Sequence, residues 1–329
     1  MLSLLNNKSV SIALYFGLLL APFSGHAHST SKVDNVAEQH TRYIATYFPG
    51  RISGTPAEFL TAQYLQQQFS QLGYHAHIRH KQGVAYPLAA TSAVAVHRGQ
   101  LPQEILIIAH IDTPQADTAH QRQQNVGGIN FQGVDNNAAS LGVMLELAKR
   151  LASHHNGYSL RFVALGGTQP PHQGMTDYLN SLSMDERKNT LLVVDIENII
   201  AGKTLAFLSG NTTATAVRKQ TTGEAKRIAQ QRDIPLLTAQ LASSRSRTLT
   251  VYEEMGLPYM RVTASNAVKL TTLATGEIKP VLGNDAAKDN LAYINHHYPR
   301  RLAQRSHQVV TILTPLLRGL LTPTRAAKH

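Results

Sequence analysis

The segment "EILIIAH", Glu104 to His110, is an unbroken apolar run of strand length that ends on an imidazole. It reads as a buried strand, and no other feature constrains the fold of this chain as much. Similar runs follow in "LRFVALGG", "TLLVVDI" and "LPYMRV". Between them lie helical patterns: "ASLGVMLELAKRLAS", "GMTDYLNSLSMDERK" and a long stretch around Ala214 to Arg232. Strands "HAHIRH" and "TSAVAVHR" come earlier, and before those "VAEQHTRYIATYF", the turn cluster "PGRISGTP" and "AEFLTAQYLQQQFSQLG" read helix, turn, helix, closing on Gly73. Repeated strand-then-helix units predict an α/β fold built on a mostly parallel, doubly wound sheet with helices on both faces. No repeat period or low-complexity tract divides it.

The first residues stand outside this pattern. One lysine, Lys8, precedes an apolar run from Val10 to Phe23, and Gly25-His26-Ala27 places small residues where a signal peptidase cuts. The run is shorter than the ~18 to 20 residues that span a bilayer. Residues 1–27 are therefore expected to be a cleaved signal peptide and 28–329 a single domain in the periplasm or beyond, with no membrane anchor. The chain has no cysteine, which excludes disulfides, thiolate metal sites and a cysteine nucleophile. Its net charge of +11 is spread along the sequence, which argues for a solvated basic surface and against nucleic acid as a partner. No Gly-x-Ser-x-Gly elbow or phosphate-loop pattern occurs, and Ser140 falls inside a helix start.

In such sheets ligands bind at the carboxyl ends of the strands. His110 and Asp112 lie there, one residue apart and on one face. Asp135 follows in the turn "GVDNNAAS", and Asp195 and Glu197 end "TLLVVDIEN" on a common face. Taken singly, His-x-Asp reads as a capped strand end, Asp135 as a helix N-cap and Glu197 as a solvated side chain. Together, one imidazole and two carboxylates at one edge are ligand chemistry that zinc accepts.

"AHIDT", "GVDNNAASLGVMLELAKRL", "LRFVALGG" and "NTLLVVDIEN" follow, in order, the motifs of the secreted di-zinc aminopeptidases of the bacterial leucyl aminopeptidase and aminopeptidase Y type. The chain resembles that family from about Val33 to Leu302, and "TRYIATYFPGRISGTPAEFLTAQYLQQQFSQLGY" resembles the amino-terminal part of a periplasmic enterobacterial branch of it. The resemblance implies metal-assisted hydrolysis of amino-terminal peptide bonds, with peptide or protein amino termini as partners. It implies His110 as a zinc ligand oriented by Asp112, Asp135 as the ligand that bridges two zincs, and Glu197 as the acid completing the first site.

The other half of the site departs from the family. Where the family has a general-base Glu followed by a zinc-ligand Glu, this chain has Thr168 and Gln169. Threonine has no basic form near neutral pH, and a neutral amide is a poor stand-in for an anionic ligand. The family's last His is missing from "VLGNDAAKDNLAYI", where Asp285 is the nearest acid, and the family's Ser-Asp or Asn-Asp pair reads Arg247-Thr248. Two readings stay open. In one, His172 and Asp285 stand in as base and ligand and the protein is a zinc exopeptidase. In the other, the fold and at most one zinc persist in a non-catalytic protein that binds peptides or protein partners. The export reading is checked by mass analysis: the exported protein is expected to begin near His28, and retention of Met1 would contradict it.

Overall fold

The computed structural model describes residues 35–81, 90–116, 118–124, 130–169, 173–241, 247–266, 281–282, 285 and 287–323. The expected signal peptide, residues 1–27, and His172 lie outside them, as do the side chains of Arg247 and Thr248. In chain order the elements are α1 (Val36–Tyr47), α2 (Pro56–Gln71), β1 (His75–Lys81), β2 (Ala90–His97), β3 (Glu104–His110), α3 (Ala119–Gln124), α4 (Ala139–Leu151), β4 (Ser159–Leu165), α5 (Gln173–Asn180) and α6 (Met184–Asn189). There follow β5 (Thr190–Ile196), β6 (Thr204–Ser209), α7 (Thr215–Arg218), α8 (Glu224–Gln231), β7 (Leu236–Gln240), α9 (Arg247–Glu254), β8 (Tyr259–Ser265), α10 (Leu291–His297) and α11 (Arg301–Leu321).

The eight strands form one sheet in the order β1-β2-β4-β3-β5-β8-β6-β7. β4, β3, β5 and β8 run parallel at its centre, and β6 runs parallel to β7. The β1/β2, β2/β4 and β6/β8 pairings are antiparallel, so the α/β sheet is mixed, its parallel strands flanked by antiparallel ones. β3 is buried along its whole length, as its unbroken apolar run requires. Side chains alternate between two cores: Ile105, Ile107 and Ala109 pack with α1, α2, α4 and α11, while Leu106 and Ile108 pack with α5 and α9. Helix α4 lies close against α1, and a Cβ on Gly142 would come within 2.3 Å of the Ala37 carbonyl oxygen. Only glycine fits that crossing.

Two helical stretches differ in detail from the sequence pattern. "GMTDYLNSLSMDERK" is split, because Ser183 caps α6: its side chain accepts from the Glu186 N–H while the Glu186 side chain accepts from the Ser183 N–H. Residues 215 to 231 stay helical but pass through a π-turn at Lys219–Gly223. Among the described residues no helix is long and apolar enough to cross a membrane.

The turn between α1 and α2 ties the helical layer to the sheet edge through Arg51, whose side chain is fully buried. Its guanidinium donates to the carbonyls of Ile111 (2.9 Å), Phe48 (3.0 Å), Gln132 (2.9 Å) and Gly133 (3.1 Å). The Arg51 carbonyl in turn accepts from the Thr113 N–H at 2.9 Å. One side chain thus fixes both the segment after β3 and the turn before α4. Arg51→Met would strand these buried acceptors and is expected to lower the unfolding free energy by ~3 kcal/mol or more, read from urea denaturation. A loss under ~1 kcal/mol would mean that the carbonyls find other donors.

Candidate active site

Strand register builds the site. Ile108 of β3 pairs with Asp195 of β5, so His110 and Glu197, each two residues further on, arrive side by side on one face. His110 Nε2 lies 3.8 Å from Glu197 Oε1. On the other side His110 pairs with Leu165, the last residue of β4, which brings the loop with Thr168 and Gln169 over Asp112.

The His110 ring is held by a main-chain group. Its Nδ1 lies 2.8 Å from the Asp112 carbonyl oxygen, which can only accept, so Nδ1 carries a proton and Nε2 points towards Glu197. Nε2 is buried and has no hydrogen-bond partner among the described residues. The Asp112 carboxylate lies 3.7 Å from Nδ1 and instead accepts from Thr168 Oγ1 (2.8 Å) and the Gln169 N–H (2.8 Å). Asp112 therefore orients His110 chiefly through its backbone, and its carboxylate holds the Thr168 loop.

Asp135 does not join this group. Its carboxylate accepts from the Ile200 N–H (2.7 Å) and the Ala201 N–H (3.3 Å) and does not cap α4, whose N-cap is Ala138, which corrects the helix N-cap reading. The physical reason is a turn locked from both sides. Asp289 accepts from the Asp135 N–H (2.6 Å) and the Asn136 N–H (3.0 Å), Arg51 holds the Gln132 and Gly133 carbonyls, and Gly133 takes a left-handed φ of 52°. Burial and the neighbouring Asp289 push the Asp135 carboxyl up to about 7. The residue after it, Asn136, is buried with its Oδ1 unpartnered among the described residues, while Asn137 donates to the Ile196 carbonyl at 3.1 Å. Asp285 pairs with Lys288 at 3.1 Å, its side chain 39% exposed, and makes no described contact with His110 or Glu197.

Three residues that strand-end reasoning passed over complete the site: Arg261, Asp289 and Glu58. The first left a signal, a lone arginine inside the apolar run "YMRVTAS". Arg261 of β8 pairs across the sheet with Asp195, and its guanidinium bonds Asp195 Oδ2 at 2.9 Å and Glu197 Oε2. Tyr252 of α9 also donates to Asp195 Oδ2, at 3.2 Å. Burial raises the Asp195 carboxyl despite Arg261. For Glu197 burial acts in the same sense, but Arg261 and His110 prevail and hold its carboxyl below the usual range.

Glu58 of α2 lies beneath the loop after β4. Its Oε2 accepts from the Gly54 N–H (2.8 Å) and the Thr91 N–H (3.0 Å), and a Cβ on Gly166 would come within 2.2 Å of Oε1. Burial, and then the charge of Asp112, push its carboxyl up to about 8.

These observations can be set beside known proteins. Residues 93–310 match the family model described as Peptidase family M28. The chain is 34% identical, over 97% of its length and 99% of the relative's, to the alkaline phosphatase isozyme conversion protein of Escherichia coli. This chain belongs to peptidase family M28. Its fold is shared with a zinc aminopeptidase from Bacillus subtilis (TM-score 0.68, 11% identity, 88% of this chain and 96% of that one). It is shared equally with a glutaminyl cyclase from Porphyromonas gingivalis (TM-score 0.64, 14% identity, 87% and 98%).

Family and neighbours point to zinc, but the described side chains do not fit it. Among the described residues no three His, Asp or Glu side chains gather so as to hold a metal ion. Asp135 is engaged by backbone N–H groups, and Glu197 shares its carboxylate with a guanidinium.

The elevated Glu58 carboxyl carries a pH signature. Between its unfolded range near ~4.3 and about 8, the folded protein holds this proton more tightly than the unfolded chain does. Its stabilisation is present below ~4.3 and is lost as pH rises towards 8; Asp135, at about 7, acts in the same sense. Glu58→Gln is expected to reduce the fall in unfolding free energy between pH 5 and pH 8 by an amount on the order of a few kcal/mol, followed by calorimetry. An unchanged pH profile would show that Glu58 titrates normally.

Proposed function

We propose that this chain is an exported member of the M28 family that engages peptide or protein amino termini at the carboxyl edge of its sheet with little or no hydrolysis. The observation that carries this reading is the loop after β4. At the position of the family's general base, the Thr168 hydroxyl donates its proton to Asp112, and the Gln169 N–H donates to the same carboxylate. Both groups that follow β4 are thus donors turned inward, and neither can take a proton from water. Removing a general base costs ~10² to 10⁴-fold in rate. With Asp135 turned to backbone N–H groups, the ligand set supports at most one weakly held zinc.

What remains suits an amine. Glu197 is 22% exposed, ionised through Arg261, and set beside His110, so an incoming ammonium would meet a carboxylate there. The short apolar run before the domain supports a periplasmic or secreted location, and the scattered basic surface gives no nucleic-acid footprint.

The mature protein should bind a short peptide with a free amino terminus and lose that binding when the peptide is acetylated. On an aminoacyl-nitroanilide panel its turnover should fall below ~1 per second, the lower end of ordinary enzymes. Thr168→Glu combined with Gln169→Glu should raise turnover or zinc content only partly, because the family's last His is also absent. Turnover of ~1 to 10³ per second with two zinc ions per chain would refute the reading and direct attention to His172 and Asp285.

A further inference from the structure

The M28 fold brings strand-end acids together, and a concentration of buried negative charge needs a counter-charge. At the end of β5 the acids are Asp195 and, just past the strand, Glu197, on one face, with Asp195 4% exposed. The cation that meets them is supplied by the chain itself. Arg261 is 5% exposed and lies on the neighbouring parallel strand, level with Asp195. One arm of its guanidinium reaches Asp195 at 2.9 Å and the other reaches Glu197. Tyr252 supplies a further donor to Asp195. On the far side of Glu197, His110 Nε2 stands 3.8 Å from Oε1 with no hydrogen-bond partner among the described residues.

We propose that Arg261 is the resident counter-cation of Asp195 and Glu197, and that it excludes a divalent ion from the His110–Glu197 pair. The donor types are otherwise suitable: an imidazole nitrogen and a carboxylate are ligands that zinc accepts. A guanidinium fixed to the same carboxylate opposes a divalent ion in two ways. Its charge repels the ion, and its hydrogen bond draws on the oxygen charge that the ion would use. A singly charged ammonium meets about half that repulsion. A lysine could relax away on its flexible stem; the planar guanidinium, held on two acids by two arms, is pre-organised.

The test compares melting temperature against free zinc concentration for the full mature protein and its Arg261→Gln variant, since an ion that binds only the folded state raises the midpoint with concentration. The parent midpoint should respond little, and Arg261→Gln should bind zinc roughly tenfold tighter or better. The added response should vanish in Arg261→Gln with Glu197→Gln, which distinguishes this site from adventitious surface histidines. Arg261→Gln leaves two buried acids without their cation and could fail to fold. The Arg261→Gln, Asp195→Asn pair removes one of those charges, keeps His110 and Glu197, and should show the same sign of shift. A folded single or paired variant that responds to zinc no more than the parent overturns the proposal, as does a parent that already responds as strongly. Turnover plays no part in this comparison. An active parent that still showed the difference would refute the low-hydrolysis reading and support the role of Arg261.

Discussion

A carboxylate removed from water must be met by donors or by a cation, and at the carboxyl edge of this sheet six acids meet that condition within the protein itself. Glu58, Asp135 and Asp289 are satisfied by backbone N–H groups, and Asp112 by a threonine hydroxyl and a backbone N–H. Asp195 and Glu197 are satisfied by Arg261. The conformations of the loops follow from these bonds. The turn before α4 is shaped by what Asp135 and Asp289 accept, and the loop after β4 by what Asp112 accepts.

The two buried arginines at this edge do different work. Arg51 gathers main-chain carbonyls and feels Asp289 and Asp112 only at a distance; burial lowers its pKa to about 10 despite them. It is a brace between the helical layer and the sheet. Arg261 bonds two carboxylates directly, and although burial works against its charge, those carboxylates raise its pKa above the ordinary arginine value. A brace of the first kind serves any chemistry that the site carries. A guanidinium of the second kind is itself the cation that two strand-end acids hold.

The separation of core from site explains how a chain can keep the M28 fold whatever side chains its strand ends carry. The apolar faces of β3, β4 and β5 bury themselves against helices whatever residues follow their ends, so changes in the loops leave the sheet intact. The same fold accommodates a zinc aminopeptidase and a glutaminyl cyclase among its structural neighbours. Function therefore has to be read from the few side chains at the strand ends. Here those side chains are bound to one another.

The amino-acid sequence by itself determined the α/β class, the helical layer ahead of the sheet, and the strand ends that carry His110, Asp112 and Glu197. Apolar runs and period-two alternation are local properties, and they dictate which side chains share a face. That Thr168 and Gln169 stand where the family carries two carboxylates came from the resemblance of the motifs around them, and not from composition or periodicity. Only the tertiary structure decided where Asp135 points, that Asp289 and not Asp285 reaches the turn before α4, and that Arg261 stands level with Asp195. Arg261 and Asp195 are 66 residues apart, and Asp289 and Asp135 are 154 apart. Alternation assigns a residue to a face of its own strand, but the register between strands is set only when the sheet assembles and its buried charges find their partners.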